Sequence, residues 1–322
     1  MAAAALDEFG RIARFFAPLA AGFPGALGLT DDAALITPGE GRDLVVTTDA
    51  LVADVHFRAK DPPDLVARKA LRVNLSDLAA MGAVPLCYTL ATVLPDACDE
   101  AWLAGFVRGL AADQAEFGIA LAGGDSVRTP GPATLSITAM GTVERGRALR
   151  RSGAKPGDRV YVSGTIGDGA LGLAVLAGRV ADDADGTLAG RYLLPRPRLG
   201  LGRALIGRAS AALDVSDGLV ADLGHIAATS GVRIVVEAER VPLSAAARSA
   251  LAGDLRLFET ILTGGDDYEL AFTSPEALPE ATAGVPVACI GRVEAGSGVA
   301  VLDREGRPVT LPAGGYQHFQ AT

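Results

Sequence analysis

Apolar positions along this chain switch between two periods. Leu44, Val45 and Val46 form a short apolar run ending in Thr47-Thr48-Asp49, which predicts a strand that delivers Asp49 to its C-terminal tip. From Asp64 to Met81 the apolar positions, Leu71, Leu75 and Leu78 among them, recur at helical spacing and stop at Gly82. Asn74 and Asp77 then share one face of that helix. Trp102, Phe106, Leu110 and Phe117 mark the buried stripe of a second helix over 100–117, closed by Gly118. Ile119 to Ala122 reads as a short strand entering Gly123-Gly124-Asp125. Leu135, Ile137, Ala139, Gly141 and Val143 alternate as a strand with one covered face does.

The Gly-, Arg- and Pro-rich stretch Arg150 to Asp158 reads as a linker, which gives an α/β domain at 1–150 and another at 151–322. In the second, strands are expected over 159–162, 211–215, 232–236, 268–273 and 287–293. Helices are expected after Gly169 and over 217–228, and a hairpin over 298–311 turning at Arg304-Glu305-Gly306. Two domains also suit a length of 322 residues. Apolar runs are broken by Gly, Asp or Arg well short of the ~20 residues a membrane span needs. The N-terminal Met-Ala-Ala-Ala-Ala-Leu-Asp-Glu lacks the basic start of a secretory signal, so a cytoplasmic protein is expected. Cys87, Cys98 and Cys289 fit neither a zinc ligand set nor a closed disulfide framework.

A net charge of −9 with dispersed basic residues argues against a nucleic-acid partner. The placement of the acids changes the picture more. Thr30-Asp31-Asp32, Thr47-Thr48-Asp49, Gly123-Gly124-Asp125 and Gly264-Gly265-Asp266-Asp267 read as acidic turns, with Asp77 on a helix and Asp214-Val215-Ser216-Asp217 at a strand end. Gly and Asp populate turns for conformational reasons alone. Gathered carboxylates without matching Lys or Arg nonetheless repel one another, and bound Mg²⁺ is the usual way to keep them ionised. Because Mg²⁺ also bridges to phosphate oxygens, the pattern points to nucleotide phosphates. No GxxxxGK[ST] sequence occurs, which argues against a P-loop kinase. Gly167-Asp168-Gly169-Ala170-Leu171-Gly172 matches GxGxxG, but the acids that follow, Asp182 and Asp183, lie in a polar loop, and close helix-to-strand packing accounts for the glycines. His56, His225 and His318 have no zinc or triad spacing. His56, a short segment after Asp49, is either a substrate contact or a structural residue, and His225 reads as structural on its helix.

Together the motifs resemble a known family. Thr47-Thr48-Asp49-Ala50-Leu51-Val52 continuing to His56-Phe57, Asn74-Leu75-Ser76-Asp77-Leu78-Ala79-Ala80-Met81-Gly82-Ala83 and Gly123-Gly124-Asp125 are similar to the N-terminal motifs of the thiamine-monophosphate kinases. Arg151-Ser152-Gly153-Ala154-Lys155-Pro156-Gly157-Asp158, Asp214-Val215-Ser216-Asp217-Gly218-Leu219, Gly264-Gly265-Asp266-Asp267-Tyr268-Glu269-Leu270 and Gly315-Tyr316-Gln317-His318-Phe319 extend the resemblance, in order, over most of the chain. It implies the two-domain α/β fold of the aminoimidazole-ribonucleotide synthetase superfamily, with N-terminal sheets pairing across a homodimer and a C-terminal α/β domain completing the active site. It also implies transfer of a phosphoryl group from ATP to thiamine monophosphate, assisted by several Mg²⁺ ions and needing no protein general base.

Carried over residue by residue, Asp31, Thr47, Thr48, Asp49, Asp77, Asp125 and Asp214 would hold metals, and Asp217 a further one. Gly124, Asp125, Arg151 and Ser216 would contact ATP, and His56, Asp266 and Tyr316 the acceptor. Tyr316 has a second reading, as an anchor for the chain end. Thr30 and Asp266 depart from the family pattern, which usually has Gly and Glu at those places. The rival readings are another ATP-using synthetase of the superfamily and a noncatalytic nucleotide-binding regulator. Selenophosphate synthetase is disfavoured because no cysteine precedes Cys87.

Overall fold

The structure is a computed structural model that describes residues 8–181 and 185–311. It divides into two compact units, the first running to Leu78 and resuming over Val84–Gly146, the second made of Ala79–Ala83 and the chain from Arg147 onward.

In the first unit a helical lead-in, α1 (Glu8–Arg11), a π turn (Ile12–Phe16) and α2 (Ala17–Ala20), precedes β1 (Arg42–Val52), α3 (Pro63–Ala80), β2 (Val84–Leu94), α4 (Glu100–Phe117), β3 (Ala120–Arg128) and β4 (Thr134–Glu144). The sheet order is β1-β4-β2-β3, antiparallel except for the β2–β3 pair. Period-two alternation puts Thr47 and Tyr88 on one face, opposite Ala139. Both helices lie over that face, since Asp77 of α3 accepts a hydrogen bond from Thr47 and Gln114 of α4 donates to the Tyr88 hydroxyl.

Gly105 and Gly109 on α4 admit the first turn of α3: a Cβ at Gly109 would lie 2.2 Å from the Asp64 carbonyl oxygen. Between the helices the fully buried Asp113 accepts two bonds from Arg72 and one from Arg68, and the Arg72 guanidinium lies over the Phe117 ring. A buried acid is tolerable only when its lone pairs are filled in this way.

The expected helices over 64–81 and 100–117 are present, and α4 ends at Gly118 with φ +67°. β2 escaped the sequence reading. Pro85 argues against a central strand, yet β2 sits between β4 and β3, and the Pro is absorbed at a register shift between Pro85 and Cys87.

The second unit contains β5 (Arg159–Ser163), α5 (Asp168–Leu176), α6 (Thr187–Leu193), α7 (Leu199–Leu205), β6 (Ala211–Asp214), α8 (Leu219–Ser230), β7 (Arg233–Glu237), α9 (Ala245–Gly253), α10 (Leu257–Thr263), β8 (Leu270–Ser274), β9 (Ala281–Thr282), β10 (Val285–Glu294) and β11 (Gly298–Leu302). Its sheet runs β11-β7-β10-β5-β8-β6, with β9 on β10. Val160, Val162, Leu213 and Val236 bury one face with Leu219, Leu223 and Ile226 of α8. Tyr161, Ala212 and Phe272 bury the other with Leu201 and Leu205 of α7.

One expectation needs correction here. The 217–228 helix begins at Leu219, because Asp217 and Gly218 form the turn before it, and it continues to Ser230. The hairpin expected over 298–311 is present and turns at Arg304-Glu305-Gly306: Val309 N–H donates to the Val301 carbonyl, Asp303 N–H donates to the Arg307 carbonyl, and Leu302 and Pro308 form an antiparallel bridge, while β11 also pairs in parallel with β7.

Candidate active site

Asp49 does not stand at a strand tip. β1 continues through Ala50, Leu51 and Val52, so Thr47-Thr48-Asp49 lies inside the strand, and the alternation sorts its side chains. Thr47 and Asp49 face α3, where the Thr47 hydroxyl donates to Asp77 Oδ2 at 2.5 Å. Burial, and then the neighbouring Asp77, push the Asp49 carboxyl up to about 6. One turn earlier on α3 the Asn74 Oδ1 is buried without a hydrogen-bond partner, while its amide donates to the Ala70 carbonyl. Two carboxylates, a hydroxyl and an amide oxygen are the hard donor set that Mg²⁺ takes, and a cation would relieve the Asp49–Asp77 repulsion. Thr48 faces the other way and accepts a bond from Thr138 Oγ1 at 3.0 Å.

Gly123-Gly124-Asp125 is likewise strand, not turn. Leu121 pairs with Tyr88 and Gly123 with Thr89, so Ala122 is an extra residue, and Gly124 lies so close to β2 that a Cβ would be 1.9 Å from the Leu90 carbonyl oxygen. Asp125 is opposite Ala91, Ala91 opposite Ser136, and Ser136 opposite Ala50. The register therefore places Asp125 on the Thr48 face, three strands from Asp49, or about 14 Å by strand spacing. Within one chain the two cannot share an ion. Asp31, Asp32, Gly123, Gly124 and Asp125 instead line a cavity of about 420 Å³ beside β3.

His56 closes the segment after β1. Its Nδ1 accepts the Val52 N–H at 3.0 Å, which fixes the ring against the end of β1 and puts the proton of a neutral ring on Nε2.

In the second unit, Asp214 ends β6 and is 4% exposed. The loop after it meets the Gly264–Tyr268 loop through backbone bonds from Asp266 to Ser216 (2.9 Å) and from Tyr268 to Val215 (2.8 Å). Gly265 makes this approach possible, since a Cβ there would lie 2.1 Å from the Ser216 carbonyl oxygen. Asp266 and Tyr268 have φ of +70° and +52°, left-handed conformations that non-glycine residues seldom adopt. Asp214, Ser216, Asp217 and Asp266 are thus brought together. Arg151 is not: its carbonyl accepts from Thr229 near the far end of α8, about 15 Å along the helix from Leu219.

Sequence reading missed Asp222 and counted Asp267 in an acidic turn, where it has another role. Asp222 accepts the N–H groups of Ser216, Asp217 and Gly218 on one oxygen; burial, then Asp217, push it up to about 7 against those bonds. Its ligand atom lies within 4.8 Å of those of Asp217 and His225. Asp267 is buried and accepts from the Gly167 and Gly169 N–H groups. It fills the place a dinucleotide phosphate would need at the start of α5, which disposes of the GxGxxG reading. Glu269, fully buried, is held by Arg191, Arg198 and Ser163. The only available signal was an acid four residues after Gly218 and a second acid beside Asp266. Tyr316 lies outside the described residues.

The model for AIR synthase related protein, N-terminal domain, matches residues 30–143, and that for its C-terminal domain matches 155–304. A thiamine-monophosphate kinase of Caulobacter vibrioides is 48% identical over 326 residues, covering 98% of this chain and 92% of that protein. The crystal structure of thiamine-monophosphate kinase from Stenotrophomonas maltophilia has a TM-score of 0.78 at 44% identity, covering 87% of this chain and 91% of that one. AaThiL complexed with AMPPCP and TMP has a TM-score of 0.78 at 33% identity, covering 90% and 91%. With both of its parts matched and nearly its whole length aligned, the chain belongs to the thiamine-monophosphate kinase family of AIR synthase related proteins.

Proposed function

We propose that the protein transfers the terminal phosphoryl group of ATP to thiamine monophosphate, giving ADP and thiamine diphosphate. Family membership supports this, as does a relative solved with AMPPCP and TMP. The observation that carries it is the oxygen cluster of Thr47, Asp49 and Asp77, with Asp49 held near 6 by burial and repulsion, a site built for a hard cation. Asp31, Thr47, Thr48, Asp49, Asp77, Asp125 and Asp214 would hold Mg²⁺, and Asp217 a further ion. When bound, Mg²⁺ would neutralise the phosphate oxygens that must meet and offset the charge of in-line transfer. Gly124, Asp125, Arg151 and Ser216 bind ATP in this reading. Gly124, whose missing side chain is taken up by β2, would offer only its backbone, and Arg151 a positive charge.

His56 and Asp266, the latter held in a left-handed conformation, would contact the acceptor in this reading. Tyr316 would contact the acceptor rings. A phosphate acceptor with a second pKa of about 6 is already largely deprotonated at neutral pH, so the scarcity of histidine is no obstacle.

The same reading includes a cytoplasmic homodimer whose N-terminal sheets pair. Val46 (56% exposed), Val127 and Leu44 leave apolar surface on that sheet. Thr48 and Asp125 lie on that same face, so a second copy seated there would lie against both. Cys87, Cys98 and Cys289 are free thiols, as suits a reducing compartment. The test is incubation with ATP, thiamine monophosphate and Mg²⁺, followed by chromatography. Thiamine diphosphate should form and should vanish when Mg²⁺ is chelated. ATP consumption without thiamine diphosphate would favour another enzyme of the superfamily.

A further inference from the structure

We propose that Asp222, on α8, is a positioning residue for the loop that carries Asp214, Ser216 and Asp217; the inference rests on the kinase reading of that loop. The side chain is 2% exposed and reaches back from the first turn of its helix. Its Oδ2 accepts three consecutive backbone N–H groups, from Ser216 at 3.0 Å, Asp217 at 3.0 Å and Gly218 at 3.1 Å. Successive N–H groups converging on one oxygen form an anion-binding concavity, and here the anion is the chain's own carboxylate. The loop cannot then curl around a phosphate. It is instead fixed from below, and Ser216 and Asp217 keep their side chains, both half-buried, for other partners.

The other side of the loop is fixed too. Gly218, at φ +120°, has no room for a Cβ, which would lie 2.5 Å from the Thr263 carbonyl oxygen, and the Ser216 carbonyl accepts the Asp266 N–H. Asp222 is thus one jaw of a clamp whose other jaw is the Gly264–Asp266 loop. Removing its acceptor oxygen leaves three N–H groups competing for new partners and frees the Cα positions of Ser216 and Asp217. Removing only its charge does not, because an asparagine carbonyl oxygen can take the same bonds.

The experiment compares Asp222→Ala and Asp222→Asn with wild type in the full-length protein, by amide hydrogen exchange over 214–219 and by steady-state kinetics. The Ala variant is expected to raise exchange in 216–218 at least tenfold and to lower kcat/KM for ATP about a hundredfold, and Asn to restore most of both. Two results overturn the proposal. In one, Asn is as impaired as Ala while 216–218 stay protected, which would make Asp222 a metal ligand alongside Asp217 and His225. In the other, Ala lowers Tm but leaves kcat and both KM values unchanged, which would make it purely structural. Amide exchange does not depend on turnover, so a wild-type protein that protects these amides yet forms no thiamine diphosphate would contradict the kinase reading alone.

Discussion

Asp49 concentrates the electrical strain of the first unit: burial and Asp77 both oppose its ionisation. Asp49→Asn and Asp77→Asn should each cut turnover at least about a hundredfold, the scale on which charge-stabilising groups act. Assayed by melting in a chelator, Asp49→Asn should be no less stable than wild type, because the substitution removes the repulsion. A large drop in Tm would identify a structural acid. Asp267 supplies a pH test. Burial pushes it up to about 8, although the Gly167 and Gly169 N–H groups pull the other way. A raised carboxyl favours folding most below its unfolded pKa near 3.8, and that contribution is lost as pH rises toward 8. The wild-type unfolding free energy should therefore fall more steeply than that of Asp267→Asn between pH 5 and 8, by at most about 1.4 kcal/mol per pH unit, as read by chemical denaturation at each pH. Parallel slopes would contradict it. At this scale Asp49 and Asp77 were legible as chemistry because acids in apolar surroundings stand out. Asp222 and Asp267 were not, since a carboxylate that binds its own backbone leaves no periodic signature.

Element by element, α3 and α4 were legible because each carries a full apolar stripe and a glycine stop, whereas β2 was hidden by Pro85 and the Asp49 and Asp125 segments passed for turns. Gly and Asp do favour turns, but neighbouring strands override that preference, and at Gly124 the absence of a side chain is what permits the pairing. The adjacent glycines make a controlled pair. Gly123→Ala meets nothing within 4 Å and should leave stability nearly unchanged, whereas Gly124→Ala should cost about 2 kcal/mol or more in chemical denaturation. Equal effects would contradict the β2–β3 register. Arg72→Met should cost about 3 kcal/mol, because it strips the fully buried Asp113 of two of its bonds. A cost below about 1 kcal/mol would mean that Arg68 alone suffices.

For the whole molecule, the two-domain α/β organisation was legible from the alternation of elements, and the matches to both AIR synthase related domains bear out the fold. The proposed association came from the family resemblance and not from the residues themselves, because exposed valines on a strand look like any alternating face until the register shows which side is covered. Val46→Glu should produce a monomer by light scattering and lose activity with it; an active monomer would remove the second copy from the site. The most direct test of the central claim is ³¹P NMR of the purified protein with ATP, Mg²⁺ and an equal mixture of thiamine and thiamine monophosphate. The account predicts that the thiamine monophosphate resonance is replaced by the paired resonances of thiamine diphosphate, in step with ADP, while free thiamine is untouched. Phosphorylation of free thiamine, or ADP with inorganic phosphate as the only products, would contradict it.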